Sequence, residues 1–374
     1  MNKSYFSLGL MSGTSGDGVD ASIIQSDGDT NYKVISDQYF KYIHDIYENI
    51  HNLKDKINSS KDLNNFTKLM ESLEKEITIF HAKAVNEIIT ASKVKIDFIG
   101  FHGQTIFHNS KEKISIQLGD GKLLSELTKK TVVYNFRKND LSQGGEGAPL
   151  SPIFHKLLVD QNKINLPVCV LNIGGIANIT VVGKDDNNDF LSRDLGPGNC
   201  LIDEWIRKNS QKKYDIDGNI ARLGKINKDI LNKTQKKFNE RINQEKLSFD
   251  TKDFDLSFFY GLSLEDGAAS ITAFTGRIIS EAIVSLLKNA KDKTWKILVC
   301  GGGRKNKTLM DDIKISSFKN LVFQPIDDYG INGDFIESQA FAYLAIRSYL
   351  KLPISFPKTT GVSKPCTGGL VIKN

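Results

Sequence analysis

The chain has 374 residues, 50 Lys and Arg against 44 Asp and Glu for a net charge of +6, 40% hydrophobic and 25% charged residues. That is the composition of a soluble globular protein of about two domains; it excludes a disordered chain, and no apolar run reaches the ~20 residues needed to span a bilayer. The positive excess is thin and basic stretches such as residues 235–241 are broken by acids and amides, so a lysine-rich solvated surface is expected rather than a nucleic-acid footprint.

Ser7–Met11 and Val19–Ile24 read as two strands joined by a polar Gly/Ser/Thr/Asp tip, and the short apolar start followed by that tip is no signal peptide. Residues 45–92 are helical in texture, with Leu69, Leu73, Ile77, Phe80, Ala84 and Ile88 at spacings of three and four. A short buried strand over 96–101 is expected to end at His102-Gly103-Gln104-Thr105, and a strand over 132–136 to run into the glycine-rich loop 142–149. A second hairpin follows, 168–172 and 178–182 around Ile173-Gly174-Gly175-Ile176-Ala177. A helix over 268–290 leads to the strand 296–300, stopped by Gly301-Gly302-Gly303, and residues 333–350 form one more helix with Ile336, Ala340, Phe341, Leu344 and Ala345 on its apolar face. Each half thus carries a hairpin with a glycine-rich tip, then a helix, then a strand ending in glycine. The shared plan, without sequence identity, points to a duplicated α/β architecture with a cleft for a small ligand. Cys169, Cys200, Cys300 and Cys366 lie far apart with no CxxC pair, which argues against structural zinc or disulfides and for a reducing cytoplasm.

The chemistry follows from residue types. Ser12-Gly13-Thr14-Ser15-Gly16-Asp17-Gly18 is either an ordinary polar hairpin tip or an anion cradle of backbone N–H groups and hydroxyls, with the Asp17 carboxylate suited to magnesium or a sugar hydroxyl. Neither GxxxxGK[ST] nor a GxGxxG opening a helix is present, which disfavours a P-loop NTPase or a dinucleotide-binding fold. Two facing hairpin tips, Ser12–Gly18 and Asn172–Asn178, with Gly301–Gly303 close to an adenine or ribose, is the layout of the sugar kinase, actin and Hsp70 superfamily. In Arg193-Asp194-Leu195-Gly196-Pro197-Gly198-Asn199 the carboxylate is either a general base held by a rigid turn or the cap of a helix starting near Cys200. Arg137 is either a clamp for a carboxylate or phosphate or a surface arginine. His102 and His108 lack a zinc spacing and read as hydrogen-bonding structural residues.

These motifs together resemble those of the anhydro-N-acetylmuramic acid kinase family: residues 9–20, His102-Gly103-Gln104-Thr105, Phe136-Arg137, residues 144–150, Leu171–Asn178, Asp194–Asn199, Cys300–Gly303, Asn306, and Glu337 with Ala340-Phe341-Ala342, in family order along the chain. The resemblance implies a two-lobed actin-like ATPase architecture with a central nucleotide cleft, residues 1–130 plus 355–374 forming one lobe and 131–354 the other. It implies ATP and Mg2+ as cofactors, small-molecule partners without nucleic acid or membrane, a homodimer left open as the assembly, and a cytoplasmic kinase of cell-wall recycling that opens the anhydro ring and phosphorylates O6. Asp194 would activate the attacking water. Gly13, Thr14, Ser15, Gly16, Asp17, Gly18, Val19 and Asp20 would bind ATP with Asn172, Gly174, Gly175, Gly301, Gly302, Gly303 and Asn306, while Thr14, Asp17, Arg137 and Glu337 would face the sugar. The metal ligands stay unassigned. Departures from the family pattern are Gly16 for Leu, expected to loosen the first phosphate loop, Glu146 for Gln, which adds negative charge, and Asn135 for Asp.

Overall fold

Runs of apolar residues on either side of a polar tip fold as the sequence implies: β1 (Tyr5–Ser12) and β2 (Gly18–Ser26) pair antiparallel around residues 13–17, and β3 (Tyr32–Lys41) adds antiparallel to β2. The computed structural model describes residues 3–183, 190–241, 248–287 and 294–374. Two units emerge, Met1–Ile164 with Phe335–Asn374, and Asn165–Asp334.

In the first unit β4 (Phe98–Asn109) lies parallel to β1, β5 (Ile114–Leu118) returns antiparallel to β4, and β6 (Thr131–Tyr134) lies parallel to β4. The helices His44–Lys56 and Thr67–Ser92 cover one face with Ile46, Ile50, Leu53, Leu73, Ile77, Val85 and Ile88, whereas Leu69 stays exposed. The helix Ile336–Tyr349 packs on β1, β2 and β4 and is buried almost all round. It lies close because Gly9 and Gly100 stand beneath it: a Cβ at either would strike the backbone of Ser338 or Phe341.

In the second unit β7 (Val168–Ile173) and β8 (Ile176–Val182) form the hairpin, β9 (Phe190–Pro197) pairs antiparallel to β8, and β10 (Trp295–Cys300) and β11 (Leu321–Pro325) follow parallel to β7. Its core gathers around the helix Leu264–Leu286 with Trp205, Phe259 and Ile297. That helix is long and apolar enough to cross a membrane by composition, but its faces are spent on this core. The last strand, β12 (Leu370–Ile372), returns to pair with β6. The orders β3-β2-β1-β4-β6 and β9-β8-β7-β10-β11 match strand for strand and sense for sense. The fold is therefore a duplicated α/β plan of the actin-like ATPase kind.

Several details differ from the sequence reading. The first unit passes residue 130 to Ile164, because β6 pairs with β4, and it resumes at Phe335 rather than 355, because the helix Ile336–Tyr349 belongs to its core. β4 does not stop at His102; β5 pairs with it through His108 and Asn109. After Tyr134 the chain turns through Asn135, at φ 55°, into the helix Phe136–Ser142 rather than continuing as strand. The long helix starts at Leu264, capped by Ser263 accepting from the Asp266 N–H, and ends at Leu286; residues 288–290 of the expected helix lie outside the described residues.

Candidate active site

The β1–β2 tip is fastened at its carbonyls. Gly13 O accepts from Gln104 Nε2 at 3.1 Å, Thr14 O from Lys54 Nζ at 2.9 Å, Ser15 O bonds His51 Nε2 at 2.9 Å, and Asp17 O accepts from the Tyr42 N–H and the Tyr39 hydroxyl. Ser12 Oγ donates to Gln104 Oε1 and accepts from the Tyr42 hydroxyl, and Ser15 Oγ donates to Asp17 Oδ1 at 2.5 Å. In a trans peptide the C=O and the next N–H point opposite ways, so tying the Thr14 carbonyl to Lys54 turns the Ser15 N–H away from that helix. Gly16 does not loosen this turn. It holds φ +59°, its N–H donates to Gly13 O, and a Cβ there would stand 2.9 Å from Ile50. Val19 is wholly buried in the apolar core, whereas Thr14, Asp17 and Asp20 are half-buried.

In the same unit, Arg137 at the start of the helix Phe136–Ser142 donates from Nη1 to Gly147 O at 3.1 Å and from Nε and Nη2 to His102 Nε2 at 3.3 and 3.0 Å. Gly147 is held in turn by its N–H on the buried Asp140 carboxylate, whose other oxygen accepts from Thr360. Lys113 donates to the carbonyls of Gly144 and Gly145, and Glu146 is tied by its N–H to Thr360 O. The glycine-rich loop is thus a rigid bracket for Arg137. Glu337 sits in the first turn of its helix, where burial raises its carboxyl above the usual range against the pull of Arg137.

The second unit carries the other expected residues. One register line crosses the sheet from Cys300 through Asn172 and Asn178 to Asp194, which puts these side chains on one face. The Asp194 carboxylate is buried within β9, and Oδ2 accepts from the Phe249 N–H at 2.8 Å. It is not the cap of the helix Cys200–Asn209, whose cap position Asn199 occupies. Gly174 O and Gly175 O accept from the N–H groups of Asn199, Gly198 and Cys200, so the β7–β8 tip is fixed on the start of that helix. Of the triple glycine, only Gly302 faces open space. Gly301, at φ +77°, and Gly303 are required by the close approach of Ile173. Arg304 pins this turn through Gly301 O while paired with Asp327 and Asp334, and Asn306 is spent as an N-cap, accepting from the Leu309 N–H. Sequence reasoning missed Lys54, His51, Asp140 and Asn178; only the last lies inside a motif, and its Oδ1 is buried with no hydrogen-bond partner. Among the described residues no group of three His, Cys, Asp or Glu could hold a metal ion.

The family model described as anhydro-N-acetylmuramic acid kinase matches residues 5–374. The chain belongs to this family. The anhydro-N-acetylmuramic acid kinase of Pelagibacter ubique is 58% identical over 374 residues, covering all of both chains, and that of Zymomonas mobilis is 38% identical over 97% of this chain and 98% of its own. Among solved structures, the (R)-2-hydroxyglutaryl-CoA dehydratase component A of Acidaminococcus fermentans aligns with 93% of this chain and 100% of its own, at 11% identity and a TM-score of 0.43. As a member of the anhydro-N-acetylmuramic acid kinases the protein is an enzyme, a phosphotransferase acting on a sugar with a nucleotide as donor.

Proposed function

We propose that the protein opens the 1,6-anhydro bridge of anhydro-N-acetylmuramic acid with water and phosphorylates the released O6, giving N-acetylmuramic acid 6-phosphate for cell-wall recycling in the cytoplasm. The observation that carries this beyond family membership is Asp194: a buried carboxylate on β9 whose Oδ2 accepts from the Phe249 N–H, with the cap position of the following helix held by Asn199 instead. Asp194 takes the proton of a water whose oxygen bonds to C1 as the C1–O6 bond breaks. O6 then forms its bond to the γ-phosphorus as the bond to the β-phosphate oxygen breaks. Such a transfer needs positioned donors more than covalent help.

The β1–β2 tip, with its carbonyls engaged behind it, is read as the phosphate cradle, and the Gly174–Gly175 tip as its counterpart, with Gly302 toward the nucleoside. Magnesium fits the hard oxygen donors at Asp17 and Asp20, since this ion takes one or two carboxylates together with phosphates and water; when bound it neutralises charge on the transferring phosphoryl group. Arg137 holds the lactyl carboxylate and Glu337 a sugar hydroxyl. The test is turnover in 18O-labelled water: label is expected on the C1 hydroxyl of the product. Asp194→Asn, folded as judged by circular dichroism, is expected to lose about 10²- to 10⁴-fold in kcat, the usual worth of a general base. Unlabelled product, or near-normal turnover in the variant, would overturn the reading.

A further inference from the structure

His102 ends no strand; it is a buried ring with both nitrogens spoken for. Nδ1 lies 2.8 Å from Gly103 O, and a carbonyl can only accept, so Nδ1 carries the proton. Nε2 is then a lone pair, and the Nε and Nη2 groups of Arg137, which can only donate, converge on it at 3.3 and 3.0 Å. The tautomer is fixed from both sides. The ring is also held by Phe341, centroids 4.6 Å apart, from the helix that carries Glu337 one turn earlier.

We infer that His102 is a positioning residue for substrate recognition: as a neutral hydrogen-bond acceptor it fixes the plane of the Arg137 guanidinium, so that the sugar's carboxylate is met in one orientation. Gly147 O, accepting from Nη1, holds the same plane from the other side, so the planar fork that matches a carboxylate is presented in one orientation. The inference rests on the reading of Arg137 as the carboxylate clamp. It goes beyond that reading in assigning the selectivity of the clamp to a side chain that never touches the sugar. Burial, and next the Arg137 charge, push the His102 pKa down to about 3, so the acceptor lone pair persists through the working pH range.

The test is a set of variants assayed on the anhydro sugar and on its analogue without the lactyl group. His102→Leu removes the acceptor; His102→Gln can return one at the Nε2 position. His102→Leu is expected to raise KM for the carboxylate-bearing sugar roughly 10-fold or more, the worth of a hydrogen bond to a charged group, with KM for ATP unchanged and little effect on the analogue. His102→Gln is expected to recover most of the loss. In an Arg137→Ala background, His102→Leu is expected to add nothing, because the two act as one unit. Additive losses, no recovery by Gln, or equal losses on the analogue overturn the inference. Should Arg137→Ala alone leave the sugar KM unchanged, the clamp reading itself fails, and the inference falls with it by a distinguishable route. If His102→Leu does not fold, His102→Asn against His102→Gln makes the same comparison, since only the longer amide reaches Arg137.

Discussion

At the scale of single residues, Asp194 is addressed directly from across the sheet. Asn178 stands opposite it in the β8–β9 register, and such directly opposed pairs keep their Cβ atoms about 4.5–5.5 Å apart. A carboxylate introduced there would repel the ionised form of Asp194 and raise its pKa, as like charges sharing a site do. Asn178→Asp is therefore expected to move the acid limb of the kcat–pH profile upward by about one unit or more, while kcat on the alkaline plateau changes little by comparison. A pH–rate profile that keeps the parent's acid limb would show that residue 178 does not face the base. The same scale explains what could be read beforehand. Asp194 stood out as a carboxylate followed by the rigid run Leu-Gly-Pro-Gly, but the residues alone left a base and a helix cap both open, and the base role came only with the family resemblance. The role of His102 was not legible, because a histidine's function depends on which donor meets its second nitrogen, and Arg137 lies 35 positions away.

At the scale of elements, the first hairpin was legible because its tip is polar and its strands are apolar, but nothing in the tip tells what holds it. Two of the holders come from the helix His44–Lys56, whose Tyr47 and His51 rings pack 4.4 Å apart, with His51 on Ser15 O and Lys54 on Thr14 O. The pairing of β4 past His102 was hidden for a related reason: a strand's end depends on whether a partner exists, and β5 supplies one only after the turn at residues 110–113. If the tip cradles the nucleotide phosphates, its hold on them depends on this helix. Lys54→Ala is expected to raise KM for ATP roughly 10-fold or more, the order of one charge-assisted hydrogen bond, and to leave KM for the sugar within about twofold. Steady-state kinetics with each substrate varied in turn would check this, and equal effects on both substrates would speak against it.

At the scale of the whole molecule the two units share a plan but not a titration behaviour. His81, His102 and His155 are all buried in the first unit, and burial pushes them down to about 4, 3 and 4, with the Arg137 charge adding to the effect at His102. A histidine held neutral in the fold but free to protonate near 6.5 when unfolded makes the unfolded state bind more protons between those values. Stability is then lost as pH falls through that window, by up to about 1.4 kcal/mol per histidine per pH unit. Asp37 and Glu337, raised by burial, oppose this in the same unit, but they are two groups against three and their hydrogen bonds and the Arg137 charge restrain them. The second unit has the opposite sign there. Burial, then the neighbouring Asp311, raise Asp312 to about 6, so its fold gains protons and stability as pH falls from 6 toward 3.8. Asp327 is held below its ordinary value by Arg304, and Asp334 by Arg304 and Lys305 against burial, so both begin to matter only below about that value. Acid is therefore expected to unfold the first unit before the second, between roughly pH 6 and pH 4. Trp205 and Trp295 are the chain's two tryptophans, and both belong to the second unit. In an acid titration, far-ultraviolet circular dichroism should lose part of its amplitude while tryptophan emission still reports a folded environment. Coincident transitions by the two probes would mean that the units unfold as one cooperative body and that the histidines do not divide them.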